Sequence, residues 1–262
     1  MQLDPTASAA GVRLRTHDQL GSTNTEALAM ARKGESGPLW ITAGRQTAGR
    51  GRRGRKWISE RGNLYASLLL TDAAPPEHWP QLSFVTALAV HDAVVDVAPE
   101  LKPLLEIKWP NDLLLKGKKF AGILIEGEAG SEEKPGAVAV GVGINCASHP
   151  KKTDFPATDL AALDASVSPA IMFAALSRKM LGRLAQWNAG EGFSTIRTDW
   201  LARASGRGDE IRVRLADREL AGRFESVDDA GRLMLVLTDG RTELVAAGDV
   251  LAVDPAGRES GT

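Results

Sequence analysis

The sequence predicts a chain in two parts, strands and helices together over residues 1–205 and a small all-β barrel over 206–262. Three observations carry this. Short apolar runs of strand type alternate with longer helical runs as far as Ala204. The texture changes at Gly206-Arg207-Gly208, after which short alternating runs are separated by Asp-Ala-Gly and Asp-Gly turns. Between two strands lies the stretch Gln46 to Trp57, in which five of twelve residues are Arg or Lys and three are Gly.

In chain order, residues 1–20 are mixed, with one strand at Val12-Arg13-Leu14. Ser22-Thr23-Asn24-Thr25-Glu26 opens a helix. Thr23 and Glu26 have capping-box spacing, and Gly34 suits the stop. Leu39 to Ala43 leads into the basic stretch and Leu64 to Leu70 leads out, both as strands. Leu82 to Val97 is an apolar, largely buried helix. Leu105 to Trp109 is a strand halted by the turn Pro110-Asn111-Asp112. Leu113 to Leu115 and Lys119 to Glu126 form a hairpin about Lys116-Gly117-Lys118. Gly127 to Gly136 is a polar loop, and Ala137 to Val142 another strand. Ser168-Pro169 starts a helix that runs to about Trp187, and a second spans Phe193 to Ala204. The last part holds about five strands: one carrying Ile211, Val213 and Leu215, then Leu220–Val227, Leu233–Leu237, Thr242–Val245 and Val250–Val253. The tail after Pro255 reads as disordered.

The basic stretch reads as an anion-binding loop. Glycines let backbone approach a ligand closely, and Arg presents rigid forks suited to phosphate and carboxylate. Gly49, Gly51 and Gly54 match G-x-G-x-x-G, but a strand rather than a helix follows, which excludes the dinucleotide fold. A solvated surface or a nucleic-acid patch are the competing readings. Against the latter, the formal net charge is only -1. Hydrophobic residues make up 43%, enough for a core, and the single cysteine, Cys146, excludes internal disulfides and suits a reducing compartment. Neither a leader pattern nor an apolar run of membrane-spanning length is present, so a cytoplasmic protein is expected. Cys146 reads as an inert buried thiol. His17, His78, His91 and His149 show no metal spacing. The balance of terms predicts that residues 47–56 are mobile without ligand and ordered with it. Fixing each residue costs roughly 1–2 kcal/mol, the arginines repel one another, and no apolar side chain larger than Ala48 anchors the segment before Trp57.

Five motifs, in order over about residues 20 to 255, resemble the biotin protein ligase family. They are Ser22-Thr23-Asn24, Gly-Arg-Gly-Arg-x-Gly-Arg-x-Trp at Gly49 to Trp57, Lys-Trp-Pro-Asn-Asp-Leu at Lys108 to Leu113, Lys-Phe-Ala-Gly-Ile-Leu-Ile-Glu at Lys119 to Glu126, and Gly-Val-Gly-Ile-Asn at Gly141 to Asn145. The resemblance implies an α+β fold, with a mixed-sheet catalytic domain of the kind shared with class II aminoacyl-tRNA synthetases and an SH3-like C-terminal barrel. It implies two steps: biotin and ATP give biotinyl-5′-AMP, and a lysine of a biotin carboxyl carrier protein domain then takes the biotin. Biotin would be held by Ser22, Thr23, Asn24, Gln46, Gly49, Arg50, Gly51, Arg52, Lys119, Gly122 and Gly141. The nucleotide would be held by Arg52, Arg53, Trp57, Asn111, Lys119 and Asn145. Lys119, Arg50 and Arg52 would act in catalysis by fixed positive charge. Mg²⁺ would bridge the phosphates, with Asp112 a candidate for touching it, for orienting the acceptor lysine, for taking its proton, or for a part in structure alone. Read from the residues alone, Gly122 and Gly141 are equally strand bulges, Trp57 and Trp109 equally core. The regulatory members' N-terminal winged helix has no counterpart before Ser22, so DNA binding is not expected. A monomer and a homodimer both remain open. A lipoate-type protein ligase and a non-enzymatic nucleic-acid-binding protein are the alternatives.

Overall fold

The computed structural model describes residues 1–131 and 136–251. The predicted tail after Pro255 lies outside them, as do the end of the last predicted strand and residues 132–135 of the polar loop. The described elements are α1 (Pro5–Ala9), β1 (Arg13–His17), α2 (Thr23–Arg32), β2 (Leu39–Ala43), β3 (Leu64–Thr71), α3 (Leu82–Val97), β4 (Leu105–Lys108), β5 (Asp112–Leu115), β6 (Lys118–Glu128), β7 (Ala137–Ile144), α4 (Pro169–Trp187), α5 (Phe193–Leu201) and β8 to β12 (Glu210–Arg214, Glu219–Val227, Leu233–Leu237, Thr242–Val245, Asp249–Val250), with short 3₁₀ turns between some of them.

Strands β1 to β7 form one sheet in the order β1-β2-β3-β7-β6-β5-β4. Only β1 and β2 run parallel; the other neighbours are antiparallel, so the sheet is mixed. Strands β8 to β12 form a second, antiparallel sheet in the order β11-β10-β9-β8-β12. The α+β expectation therefore holds. The first turn of the chain differs from the sequence reading: α1 is a helix, capped by the Asp4 side chain on the Thr6 amide.

Alternation along the central strands makes two faces. Leu64, Ala66, Leu68 and Leu70 of β3, with Val138, Val140, Val142 and Ile144 of β7, point into the main core with α3 and α4. Leu39, Ile41, Leu69, Ala137 and Ala139 point the other way, against Ala27 and Leu28 of α2. β7 thus carries large residues on the core face and only Ala and Gly on the α2 face, a period of two. Trp109 belongs to the core: it is 1% exposed, and its Nε1 donates to the Gly231 carbonyl at 3.1 Å. The α5 helix stops at Leu201, short of the expected Ala204. The chain there is drawn into pairing with β4, where the Ile107 amide donates to Arg203 and the Ser205 amide to Ile107.

Candidate functional site

One cavity of about 880 Å³ lies on the α2 face, a size within the ordinary range for small-ligand sites. Its floor follows from register. Lys108 pairs with Asp112, Asp112 with Gly122, and Gly122 with Gly143, so the four stand in one row across β4, β5, β6 and β7. The Trp57 ring lies on the two glycines; a Cβ on Gly143 would come within 2.6 Å of it.

Simple alternation would place Lys119 on the opposite face from Gly122, three residues on. The register shift between Leu113 and Leu114 reverses this. Leu113 pairs with Ala121 and Leu114 with Lys119, which leaves Phe120 as the extra residue, buried in the core. One extra residue moves the following side chain to the other face. Lys119 therefore joins the row: its Nζ lies 2.5 Å from Asp112 Oδ1 and 5.3 Å from the centroid of the Trp57 ring.

Asp112 is buried with an ammonium at each oxygen, since Lys108 Nζ is 3.2 Å from Oδ2. Burial pushes the Asp112 carboxyl up, but Lys119 and Lys108 together outweigh it and hold the group below the usual carboxylate range. Burial draws Lys108 below the ordinary lysine value, with Asp112 opposing. The Lys108 ammonium also donates to the Val250 carbonyl at 3.2 Å and stands 4.2 Å over the Phe155 ring. Both Asp112 oxygens already face cations, and the described residues contain no group of three or more His, Cys, Asp or Glu that could hold a metal. The donor set does not fit a protein-held Mg²⁺.

At the other end of the cavity the lining side chains Ser22, Thr23, Asn24 and Gln46 are polar and uncharged. Ser22 caps α2, its Oγ accepting from the Thr25 amide at 3.5 Å. Thr23 does not cap, contrary to the capping-box reading. It turns inward, and its amide and hydroxyl both donate to Gln46 Oε1, at 2.8 and 3.1 Å. Gln46 Nε2 donates to Ser59 at 3.0 Å. Asn24 Oδ1 accepts from Ser67 at 2.6 Å, and a Cβ on Gly141 would lie 2.4 Å from that oxygen. Gly141 is thus a place of close approach rather than a bulge, and what approaches is Asn24. Asn111 Nδ2 donates to the Ile123 carbonyl and Asn145 Nδ2 to the Thr158 carbonyl, at 2.6 and 3.0 Å. Both line the cavity.

The basic loop closes on itself. The Trp57 amide donates to Gly49 and the Gly51 amide to Arg55, at 2.9 and 2.7 Å. Its tip meets the second sheet. Asp249 faces Arg52, Arg53 and Arg55 at 3.7, 3.6 and 2.8 Å, and Arg52 Nη1 donates to the Gly248 carbonyl at 3.0 Å. Burial draws the Arg52 guanidinium below its ordinary value, opposed by Asp249 and Asp112, though arginine stays charged throughout the working range. At the root, Arg50 forms a bidentate pair with Glu126.

Of the residues expected at the site, Ser22, Thr23, Asn24, Gln46, Arg50, Gly51, Arg52, Trp57, Asn111, Asp112, Lys119, Gly122, Gly141 and Asn145 line this cavity. Gly49 and Arg53 do not. Gly49 sits under the loop, where a Cβ would strike Ser59 Oγ at 2.5 Å, and Arg53 is directed to Asp249. Sequence reasoning left unassigned Lys108, Ser67, Glu126 and Asp249. Lys108 and Glu126 stood inside quoted motifs. Asp249, from the β-barrel, carried no local signal.

The sequence matches the Biotin/lipoate A/B protein ligase family over residues 18–145 and the Biotin protein ligase C terminal domain over residues 208–251. It is 41% identical over 232 residues to a biotin–[acetyl-CoA-carboxylase] ligase of Paracoccus denitrificans, covering 86% of this chain and 95% of that protein. It is 35% identical over 238 residues to one of Mycobacterium tuberculosis, covering 89% and 86%. Among solved structures, a biotin protein ligase from Aquifex aeolicus in complex with biotin and ATP matches with a TM-score of 0.75 at 25% identity, over 91% of this chain and 97% of that one.

Proposed function

The chain belongs to the biotin protein ligase family, and from that membership and the cavity we propose that it joins biotin to ATP as biotinyl-5′-AMP and passes the biotinyl group to a lysine of a biotin carboxyl carrier protein domain. One observation carries the reading. A single cavity joins the uncharged polar side chains of Ser22, Thr23, Asn24 and Gln46, beside an Arg50 already paired with Glu126, to a cationic end at Lys108, Lys119 and Arg52. Biotin has that polarity: a neutral ureido ring at one end and a carboxylate at the other.

In the first step a biotin carboxylate oxygen attacks the α-phosphorus, the bond from that phosphorus to the β-phosphate oxygen breaks, and pyrophosphate leaves. No proton moves. The barrier is the meeting of two anions, which fixed cations lower; one well-placed donor contributes about 3–4 kcal/mol. Lys119 suits this role because Asp112 and the Trp57 ring fix its ammonium where it faces the cavity. Arg52, Trp57, Asn111 and Asn145 are assigned to the nucleotide. The phosphates' own oxygens and water are what would carry Mg²⁺.

In the second step the acceptor amine attacks the acyl carbon and AMP departs with the bridging oxygen. A free lysine with pKa ~10.4 is neutral less than about 0.1% of the time at pH 7, so the ammonium gives one proton to water before attack and the nitrogen gives a second to water as the amide forms. Asp112, held below the usual carboxylate range, is a poor base, and its role is to orient Lys119.

We assign the catalytic part to residues 1–205 and the C-terminal part to 206–262. The protein is cytoplasmic in this reading and binds no DNA; among the described residues no helix is long and apolar enough to cross a membrane. Biotin-dependent ATP–pyrophosphate exchange by the purified protein tests the function. Exchange is expected with biotin and not with lipoate; exchange with lipoate alone would move the protein to the lipoate branch, and none with either would end the proposal.

A further inference from the structure

We propose that Glu126 is a positioning residue for the biotin end of the cavity, and that the Arg50 side chain acts through it rather than on the reacting anions. The inference rests on the ligase reading above for its kinetic test, but the geometry stands without it. Glu126 does not line the cavity, yet it holds two residues that do. Arg50 Nε donates to its Oε1 at 3.0 Å and Arg50 Nη2 to its Oε2 at 2.9 Å, a planar two-bond fork. Asn24 Nδ2 donates to the same Oε2 at 2.8 Å. The remaining terminal nitrogen of Arg50 donates to Thr25 Oγ1 at 2.7 Å. Three of the five N–H donors of this guanidinium, including the pair that forms a carboxylate-binding fork, are therefore already given to protein acceptors, and the carboxylate in that fork is Glu126 rather than an incoming one.

The strand alternation explains the placement. Gly122, Leu124 and Glu126 share the α2 face of β6, and the first two line the cavity. Glu126 stands next along that face, where the start of α2 crosses and the root of the basic loop arrives. One carboxylate thus joins three segments: β6, α2 through Asn24, and the loop through Arg50. Arg50 pairs with Lys56 across the loop, so fixing Arg50 fixes the root of the hairpin. By holding the Asn24 amide, Glu126 also sets which way Asn24 Oδ1 points, toward Ser67 and over Gly141.

The test is a double-mutant cycle with Glu126→Ala, Arg50→Ala and the pair, read by biotin-dependent pyrophosphate exchange, with Glu126→Gln as a gentler single change. Each single variant is expected to raise KM for biotin about tenfold with kcat changed less than about twofold, and the pair is expected to be no worse than either, since neighbours in one network do not add. Additive losses in the pair, wild-type KM in both Glu126 variants, or a fall in kcat for Arg50→Ala that Glu126→Ala does not share would each overturn the proposal. A readout independent of catalysis is hydrogen exchange of Thr47 to Trp57 in the ligand-free protein. Glu126→Gln is expected to speed it, and unchanged rates would refute the clasp. If wild-type protein shows no exchange activity, the ligase reading fails while this second measurement still decides the proposal.

Discussion

Lys119 shows how much a single residue depends on what surrounds it. It faces the cavity only because Phe120 is the extra residue of a bulge, and it is oriented by Asp112 and the Trp57 ring. Lys119→Ala is expected to lower the rate of pyrophosphate exchange about 10²–10³-fold, the cost of losing one preorganised donor, while the protein stays folded. The same change has a pH signature. Asp112 is ionised below its unfolded value because two ammonium groups outweigh its burial, and Lys119 is the larger contributor of the two. A carboxyl with a depressed folded pKa stabilises fully above its unfolded value of ~3.9 and loses that contribution as pH falls through the folded one. The stability gap between wild type and Lys119→Ala should therefore be widest near neutral pH and narrow below about pH 4. Urea unfolding at several pH values checks this; a gap that widens in acid would remove Asp112 from the account. Cys146 makes a simpler case. It is 1% exposed, and burial pushes its thiol up to about 12, so iodoacetamide should label it only after denaturation. Rapid labelling of the native protein would show that the β7 end opens.

At the scale of elements, β7 and the basic loop complement each other. β7 reads Ala-Val-Ala-Val-Gly-Val-Gly-Ile, and its small face admits α2, then Asn24, then the Trp57 ring. Gly141→Ala puts a carbon 2.4 Å from Asn24 Oδ1, so Asn24 must shift and leave Ser67 and Glu126. We expect a rise in KM for biotin together with a loss of stability of about 1–3 kcal/mol from the buried polar groups left unpaired; an unaltered KM would detach Asn24 from the biotin end. For the loop, local energetics predicted mobility without ligand, and the fold supplies two holds that the local terms omit, Glu126 at the root and Asp249 at the tip. Hydrogen exchange across Thr47 to Lys56 should still slow when biotin and ATP are added, because a bound anion gives the arginines a further partner. Equal rates in both states would mean that the two holds alone keep the loop closed.

The whole molecule is joined at Asp249. The β-barrel places this one carboxylate against three arginines of a loop nearly two hundred residues away in sequence, and Lys108 reaches the neighbouring Val250 carbonyl. Arg212, Arg214 and Glu219 of the barrel line the same cavity. The second sheet is thus part of the site's wall. Asp249→Asn keeps the shape and removes the charge. Exchange of the Arg52 to Arg55 amides should then accelerate several-fold, and preformed biotinyl-AMP should escape faster, seen as labelling of bystander lysines. If neither changes, the barrel is a neighbour of the loop and not a hold on it.

Much was legible in the residues themselves. Period-two runs, the Ser168-Pro169 start, the turn tripeptide at Pro110 and the change of texture at Gly206 are local signals, and the elements follow them closely. The five motifs named the family and most of the cavity wall, because ligand-facing backbone and fixed charge demand particular residues at particular spacings. What only the tertiary structure decided was partnership. Nothing near Arg50 in sequence points to Glu126, nothing near Arg52 points to Asp249, and alternation alone turns Lys119 to the wrong face. Those outcomes depend on which strands become neighbours, in what register, and where one extra residue is absorbed. Register is selected by burying the large faces of β3 and β7 together, a property of the assembled sheet. A charge's partner is then whichever group that assembly brings within a few ångströms.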